Sequence, residues 1–217
     1  MLKKYGFRAA NVVLGIFLIG IAVGFLRMAA FGCDPFTTMN LGISGLLKLQ
    51  FGNLQLLVNF ILLVPVLLLR RKDLIGFGTV FNMVFVGYLA DFTVFLFHAA
   101  GITASAMPAR IFLFAAAFFI ICLGDSLYIG ASMGVAPYDA AAYLLETLTH
   151  KKLPFKYARI LSDVSCVVAG TLTSLPTGKL WSIVGLGTIV IACGTGPMVQ
   201  LFLDRIASPL FTHYAYD

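Results

Sequence analysis

The chain has 217 residues, of which 60% are hydrophobic and 11% are charged, and its formal net charge at pH 7 is +6. A water-soluble domain of this length cannot bury so much apolar surface, so the lipid bilayer must solvate most of the chain. The basic residues lie in short clusters that flank apolar stretches, which is typical of the positive-inside bias and argues against a nucleic-acid partner. The sequence therefore predicts an all-α polytopic membrane protein, with residues 1–217 forming a single transmembrane domain.

The first predicted helix covers residues 9–31 and carries no charge from position 9 to position 26. A helix needs about 20 apolar residues to cross the hydrocarbon core, so this one is long enough. Basic residues precede it as in a signal peptide, but the apolar stretch is too long for one, and we expect it to be retained. It ends at the sequence Gly32-Cys33-Asp34-Pro35-Phe36, where glycine and proline interrupt the helix.

The elements after this break follow the same plan in both halves of the chain. The first half continues with a short apolar segment and two long helices, at residues 36–49, 53–69 and 75–97. The second half has a long helix, a break at Gly134-Val135-Ala136-Pro137-Tyr138-Asp139, a short segment and two long helices. These helical segments cover residues 109–133, 137–149, 157–174 and 181–204.

An internal repeat of residues 9–98 and 109–204 explains this plan. The first break aligns with the second at an offset of 102, Phe51 with Phe155 and Asn59 with Asp163 at 104, and Gly76-Phe77-Gly78-Thr79 with Gly185-Leu186-Gly187-Thr188 at 109. The offset between aligned residues grows from 102 to 109 along the chain, which requires only two small insertions in the second half, both at polar positions typical of loops. We therefore predict two homologous halves, each with three transmembrane helices and one short segment.

The short segments decide the topology. Each has about 13 residues and would extend about 20 Å as a helix, which is too short to span a bilayer comfortably. If they are re-entrant or half-helices, the chain has six spans, the halves are inverted repeats, and the basic loops at 70–72 and 151–159 lie in the cytoplasm with both termini. The eight-span alternative stays open, but it would move the loop at 70–72 outside, which the positive-inside bias disfavours.

Several features resemble the YczE/YitT group of bacterial integral membrane proteins. They are the basic residue and break at Arg27, Gly32, Pro35 and Phe36, the second break at Pro137-Tyr138-Asp139, the basic loop and glycine-rich helix start from Arg70 to Gly78, and Gly194-Thr195-Gly196-Pro197 with Gln200. The resemblance covers nearly the whole chain and implies a location in the bacterial cytoplasmic membrane, with transport as the suspected activity. Asp34 departs from the group's pattern, in which a small residue is commoner at that position.

Acidic residues at predicted membrane depth are the main candidates for function. Five of the nine acidic residues lie there, namely Asp34, Asp91, Asp125, Asp139 and Asp163. A charged side chain at a helix centre costs about 2.5–3.5 kcal/mol on insertion scales, so such residues usually face a cavity or a partner, or are protonated. The predicted substrate-binding residues are these five with Arg27, Asn40, Asn59 and Tyr138, and the predicted helix-break residues are Gly32, Pro35, Gly134 and Pro137.

Two pairs of polar residues receive specific predictions. Arg27 and Asp125 lie one helical turn apart in equivalent helices, so they could form an ion pair where the two helices meet, although Arg27 is also near enough to the helix end to extend to the interface. Asn59 and Asp163 are equivalent positions in the second long helices, and we expect this side of each helix to line the interior.

Broken helices at corresponding positions of two halves are typical of transporter binding sites. The sequence therefore predicts a transporter for a small cationic or zwitterionic molecule, bound at the helix breaks. Two alternatives stay open: a substrate-binding S-component of an ATP-driven vitamin or micronutrient uptake system, and a non-transporting assembly or regulatory protein. We find no catalytic cluster and no metal-ligand spacing among the four cysteines and three histidines, so we predict neither an enzyme nor a metal or other cofactor. A homodimer is compatible with this architecture, and the sequence leaves it open.

Overall fold

A computed structural model describes residues 2–102 and 106–213, and these residues are almost entirely helical. The helices are α1 (Leu2–Ala29), α2 (Pro35–Leu47), α3 (Phe51–Leu68), α4 (Phe77–Ala99), α5 (Met107–Ala131), α6 (Pro137–Leu148), α7 (Phe155–Ser174), α8 (Leu180–Ile183), α9 (Leu186–Phe202) and α10 (Ser208–His213). A π-helical turn, Leu203–Ala207, joins α9 to α10. The predicted all-α class is therefore confirmed.

Six stretches of helix are long and apolar enough to cross a membrane. They are Lys4–Ala29, Phe51–Leu68, Phe77–Ala99, Met107–Ala131, Phe155–Thr177 and Leu180–Thr212. Large apolar side chains lie on the outside of the protein, and Phe112 and Trp181 are 73% and 82% exposed. Such a surface is unfavourable in water, so the chain is a multi-pass membrane protein in contact with lipid.

Helices α2 and α6 are too short to belong to this set. They contain 13 and 12 residues, which gives lengths of about 20 Å and about 18 Å against a hydrocarbon core of about 30 Å. Both begin at a proline, Pro35 and Pro137, which is favourable at the first helical position because its missing N–H would have no intrahelical partner there. The predicted helix breaks are thus confirmed as the starts of two short helices.

Helices α1 and α5 pack closely at the centre of the protein through two glycines. A Cβ atom on Gly15 would lie 2.7 Å from the carbonyl oxygen of Gly124, and one on Gly124 would lie 2.8 Å from the carbonyl oxygen of Gly15. Helix α1 also packs against α4, where Gly20 and Gly24 make room for the side chains of α4. Small residues therefore let one helix contact two neighbours at short range, as is common in membrane proteins.

The break between α1 and α2 lies against the start of α9. Gly32 has a φ of +104°, a conformation that side chains rarely adopt, and it turns the chain out of α1. The carbonyl oxygen of Phe31 accepts a hydrogen bond from the N–H of Gly187 (2.8 Å), and the N–H of Cys33 donates to the carbonyl oxygen of Ile183 (3.3 Å). Backbone groups that the break removes from helical hydrogen bonding are thus paired within the protein, as lipid requires.

The break between α5 and α6 makes the same contacts with the start of α4. Gly134 also has a φ of +104°. The carbonyl oxygen of Met133 accepts a hydrogen bond from the N–H of Gly78 (2.8 Å), and the N–H of Val135 donates to the carbonyl oxygen of Leu74 (3.0 Å). Each break is therefore held by the start of a long helix from the other part of the chain.

Helices α2 and α6 run in opposite directions along α7. Thr38 of α2 contacts Gly170, and Gly42, one turn later, contacts Thr173, so α2 runs in the same direction as α7. Tyr138, at the start of α6, reaches Asp163 near the middle of α7, whereas the end of α6 is connected directly to the start of α7. The two short helices therefore extend away from a shared region at their N-termini.

Candidate binding site between the short helices

The first turns of α2 and α6 meet through two stacked aromatic rings. The ring centroids of Phe36 and Tyr138 are 4.7 Å apart, with an angle of 25° between the ring planes. Asp34 caps α2, because its Oδ1 atom accepts a hydrogen bond of 2.9 Å from the N–H of Thr37, and Asp139 lies in the first turn of α6. Both carboxylates are favourable there, since a helix N-terminus carries partial positive charge.

A guanidinium group lies between two carboxylates at this junction. Arg159 of α7 forms an ion pair with Asp139 through Nη1, and its Nε atom is 3.3 Å from Oδ1 of Asp163. Its Cζ atom is 4.5 Å from the centroid of the Tyr138 ring, and the hydroxyl of Tyr138 donates a 2.8 Å hydrogen bond to Asp163. The arrangement joins charge-assisted hydrogen bonds with a cation–π contact, a combination that suits a planar cation.

This cluster remains partly accessible. The side chains of Arg159, Asp139 and Asp163 are 35%, 31% and 26% exposed. In contrast, Tyr138 is buried at 8% exposure, so the aromatic ring forms the floor and the charged groups form the open side. The charged groups of the cluster therefore lie at the protein surface, whereas the ring of Tyr138 does not.

Several buried polar side-chain atoms in the described part of the chain have no hydrogen-bond partner, and two of them belong to Asp34 and Asn40 in the first turns of α2. Within the described residues, the atoms concerned are Oδ2 of Asp34, Oδ1 of Asn40, Oε1 of Gln55, Nδ2 of Asn59 and the hydroxyl of Tyr128. Asn40 and Asn59 are 0% and 1% exposed. Leaving such an atom unpaired costs about 1–3 kcal/mol, so natural proteins rarely tolerate it without a role. These atoms could complete their hydrogen bonds with a polar ligand.

Asp125 of α5 stands apart from any direct partner. It is half-buried, and its carboxylate forms no hydrogen bond or ion pair within the described part of the chain. Arg159 and Asp34 lie within electrostatic range of its carboxylate. Of the predicted site residues, Asp34, Asp125, Tyr138, Asp139 and Asp163 therefore lie around Arg159, while Asn40 and Asn59 are buried amides of α2 and α3.

The predicted ion pair between Arg27 and Asp125 is wrong. Arg27 instead pairs with Asp91 of α4 at 2.7 Å, and its Cζ atom is 4.6 Å from the centroid of the Phe51 ring. The second oxygen of Asp91 accepts a 2.8 Å hydrogen bond from the N–H of Gly52. Arg27 extends from the face of α1 that carries Gly20 and Gly24. This face packs against α4, so the carboxylate that pairs with Arg27 comes from Asp91 of α4. This pair connects α1, α3 and α4.

The prediction for the second long helices is confirmed in part. Asn59 is buried and Asp163 is half-buried, as expected for a side that faces the interior. Gln55, one turn before Asn59, is also buried at 4% exposure. Asn53 is exposed, however, and accepts a hydrogen bond from Tyr88 at the surface.

Arg159 lies in the candidate site but is not among the site residues that the sequence predicts. The sequence places it in the basic loop at 151–159, whereas in the structure it lies within α7 and pairs with Asp139 of α6. Its spacing of four residues from Asp163 was the available signal, because side chains four apart share one face of a helix. Among the described residues, no group of three or more His, Cys, Asp or Glu side chains is placed to hold a metal ion.

Comparisons with known proteins identify bacterial relatives over nearly the whole chain. The uncharacterized protein YyaS of Bacillus subtilis (strain 168) is 22% identical over 193 residues, which are 89% of this chain and 90% of the relative. An uncharacterized protein of Haemophilus influenzae is 22% identical over 206 residues, which are 95% of this chain and 87% of the relative. No solved structure matches the chain significantly. Residues 6–204 match the model of a family of unknown function, DUF6198, so the chain belongs to that family.

Proposed function

We propose that this protein transports a small cationic or zwitterionic molecule across the bacterial cytoplasmic membrane. The observation that carries this proposal is the junction of two oppositely directed short helices at a partly accessible cluster of one guanidinium and two carboxylates. Interrupted helices with polar groups at their broken ends are a recurrent way to build a transporter site. The ligand would bind at the N-termini of α2 and α6.

The architecture that we propose is a pair of inverted repeats, each with three spans and one re-entrant half-helix. The matching hydrogen bonds at Phe31 and Met133 support it, as do the identical φ values of Gly32 and Gly134. Six spans would place both termini and the loops at 70–72 and 151–159 in the cytoplasm, in agreement with the positive-inside bias. The same plan is what the resemblance to the YczE/YitT group suggests.

The balance of charge favours a cation over an anion. Four carboxylates, those of Asp34, Asp125, Asp139 and Asp163, lie near a single guanidinium, that of Arg159. Because water is scarce at this depth, such an excess of negative charge attracts a cation or retains protons. A zwitterion would satisfy the carboxylates with its cationic end and leave its anionic end for the partial positive charge of the helix N-termini.

Uptake into proteoliposomes tests the proposal. We expect the purified protein to accumulate at least one member of a panel of radiolabelled ammonium and guanidinium compounds, zwitterionic amino acids included. Asp163→Asn and Asp125→Asn should each reduce that uptake at least about tenfold, since each removes a negative charge close to the ligand. Gly196→Ala is the matched control, because Gly196 lies in α9 with open space around it, and it should transport like the wild type.

Two outcomes would contradict the proposal. One is the absence of binding and uptake for the whole panel by protein that is folded in detergent and in liposomes. The other is copurification with an ATPase and a membrane coupling subunit, with uptake only in their presence, which would support the S-component alternative instead.

A further inference from the structure

We propose that Arg159 acts as an internal ligand, and that its carboxylate and aromatic partners form a receptor for a guanidinium group of the substrate. The inference rests on the proposed transport function and narrows the substrate to a molecule with a guanidinium or amidinium end. In the structure the receptor holds the protein's own guanidinium, which the substrate would replace.

The receptor is assembled from two helices around one flat cation. Asp139 of α6 and Asp163 of α7 each accept from a different nitrogen of Arg159, and Tyr138 provides the ring below its Cζ atom at 4.5 Å. The Tyr138 ring is fixed from behind by Phe36 and at its hydroxyl by Asp163. A planar cation with several N–H donors fits such a site better than a compact ammonium, because it can stack on the ring while it donates along its edges.

Exchange of one guanidinium for another keeps both carboxylates paired. Asp139 and Asp163 are 31% and 26% exposed. Removing Arg159 would leave Asp139 without its ion-pair partner and Asp163 with only the hydroxyl of Tyr138, so an empty receptor is less favourable than an occupied one. Arg159 is attached by a flexible stem and is 35% exposed, so its head can leave the receptor as a substrate head enters. The resting state is therefore stable without substrate, and substrate entry is linked to movement of a residue on α7.

Two other arginines show why the chemistry at Arg159 differs. The Cζ atoms of Arg27 and Arg110 each lie 4.6 Å from a phenylalanine ring centroid, those of Phe51 and Phe31. Arg27 is only 18% exposed, and its partner carboxylate is also bound by a backbone N–H. Arg110 donates both of its hydrogen bonds to backbone carbonyls of the α1 C-terminus. Within the described residues, only Arg159 pairs with two carboxylates.

Chemical rescue of an arginine variant tests this inference. The full-length Arg159→Ala protein in detergent is heated at rising concentrations of methylguanidinium chloride, with methylurea and sodium chloride as neutral and ionic references. We expect methylguanidinium to raise the Tm of Arg159→Ala, and to do so at a half-maximal concentration at least about tenfold lower than in the wild type. The reason is that in the wild type the guanidinium of Arg159 is tethered beside the receptor and competes with methylguanidinium at an effective concentration in the millimolar range.

Matched variants distinguish binding of methylguanidinium at the receptor from a general effect of the salt on the stability of the protein. Arg159→Ala combined with Asp139→Asn and Asp163→Asn should lose the response. Arg27→Ala should show none, because Arg27 is only 18% exposed and its partner Asp91 keeps the hydrogen bond from the N–H of Gly52. Arg159→Lys replaces the alanine variant if that one does not purify, since lysine keeps the charge but not the planar fork.

The inference is overturned if methylguanidinium and methylurea act equally, or if the response survives removal of both carboxylates. Either result would still be compatible with the proposed transport function if the wild-type protein accumulates a cation that has no guanidinium group. Conversely, rescue by methylguanidinium in a protein that transports nothing would support the receptor and overturn the transport proposal.

Discussion

The rings of Phe36 and Tyr138 stack at a centroid distance of 4.7 Å, although the two residues begin different helices that extend in opposite directions. Tyr138 also carries Arg159 on its ring and donates its hydroxyl to Asp163. This single contact therefore connects both helix breaks to the charged cluster, and its disruption should affect the fold and the site together.

Replacements of Tyr138 should separate the roles of its ring and its hydroxyl. Tyr138→Phe removes one hydrogen bond and should lower the free energy of unfolding by about 1 kcal/mol. Tyr138→Ala also removes the ring under Arg159 and should cost about 3–5 kcal/mol. Thermal and denaturant unfolding in detergent measure both changes, and equal losses for the two variants would show that the ring contributes little.

Alanine at either break glycine should be strongly destabilising. A Cβ atom on Gly32 would lie 2.4 Å from Oγ1 of Thr188, and one on Gly134 would lie 2.5 Å from Oγ1 of Thr79, while both glycines have positive φ. We expect a loss of about 2–4 kcal/mol for each, from backbone strain and steric overlap combined. Gly196→Ala is the control and should leave the Tm unchanged or slightly higher, because alanine favours a helix. A break variant as stable as this control would contradict the expectation.

Loss of Arg27 should cost more stability than loss of Arg71. Arg27 and Asp91 are 18% and 13% exposed, so Arg27→Ala leaves a largely buried carboxylate and should destabilise by about 2–4 kcal/mol. Arg71 hydrogen-bonds Asp73 and lowers the pKa of that carboxyl below its ordinary value, but their exposures of 30% and 60% let water screen the charges. Arg71→Ala should therefore change the Tm little. Similar small effects at both arginines would remove the structural role assigned to Arg27.

Cysteine labelling should test the proposed six-span topology. In a variant without the four native cysteines, Arg71→Cys and Lys152→Cys should react with a membrane-impermeant maleimide only after the cells are permeabilised. Lys48→Cys and Lys179→Cys should react in intact cells, because α2 and α7 end on the opposite side in the proposed arrangement. Labelling of Arg71→Cys from outside would favour eight spans.

The helices themselves could be read from the sequence because lipid imposes a simple requirement on length and composition. The long helices follow from uncharged stretches, and the short ones from Pro35 and Pro137, which fix where α2 and α6 begin. The predicted ends differ from the observed ones by a few residues, as for α1, which was expected to end at residue 31 and ends at Ala29.

The partners of charged residues were harder to predict, because they depend on how each helix is rotated against its neighbours. Helix α1 is apolar on nearly all sides, so hydrophobicity did not indicate that Arg27 faces α4 and Asp91. Arg159 lies one turn inside α7, where its sequence context does not distinguish it from a basic residue that flanks a helix. Only the packing of α6 against α7 brings Asp139 to it.

The way in which each break is held has a consequence for biosynthesis. Phe31 is synthesised before α2 to α8, but its carbonyl oxygen is paired with the N–H of Gly187, which follows those helices in the chain. Until α9 inserts, the bend after α1 lacks its backbone partner and stays open to proteolysis and quality control. Two separately expressed fragments, cut in the loop between α4 and α5, should therefore accumulate only when made in the same cell.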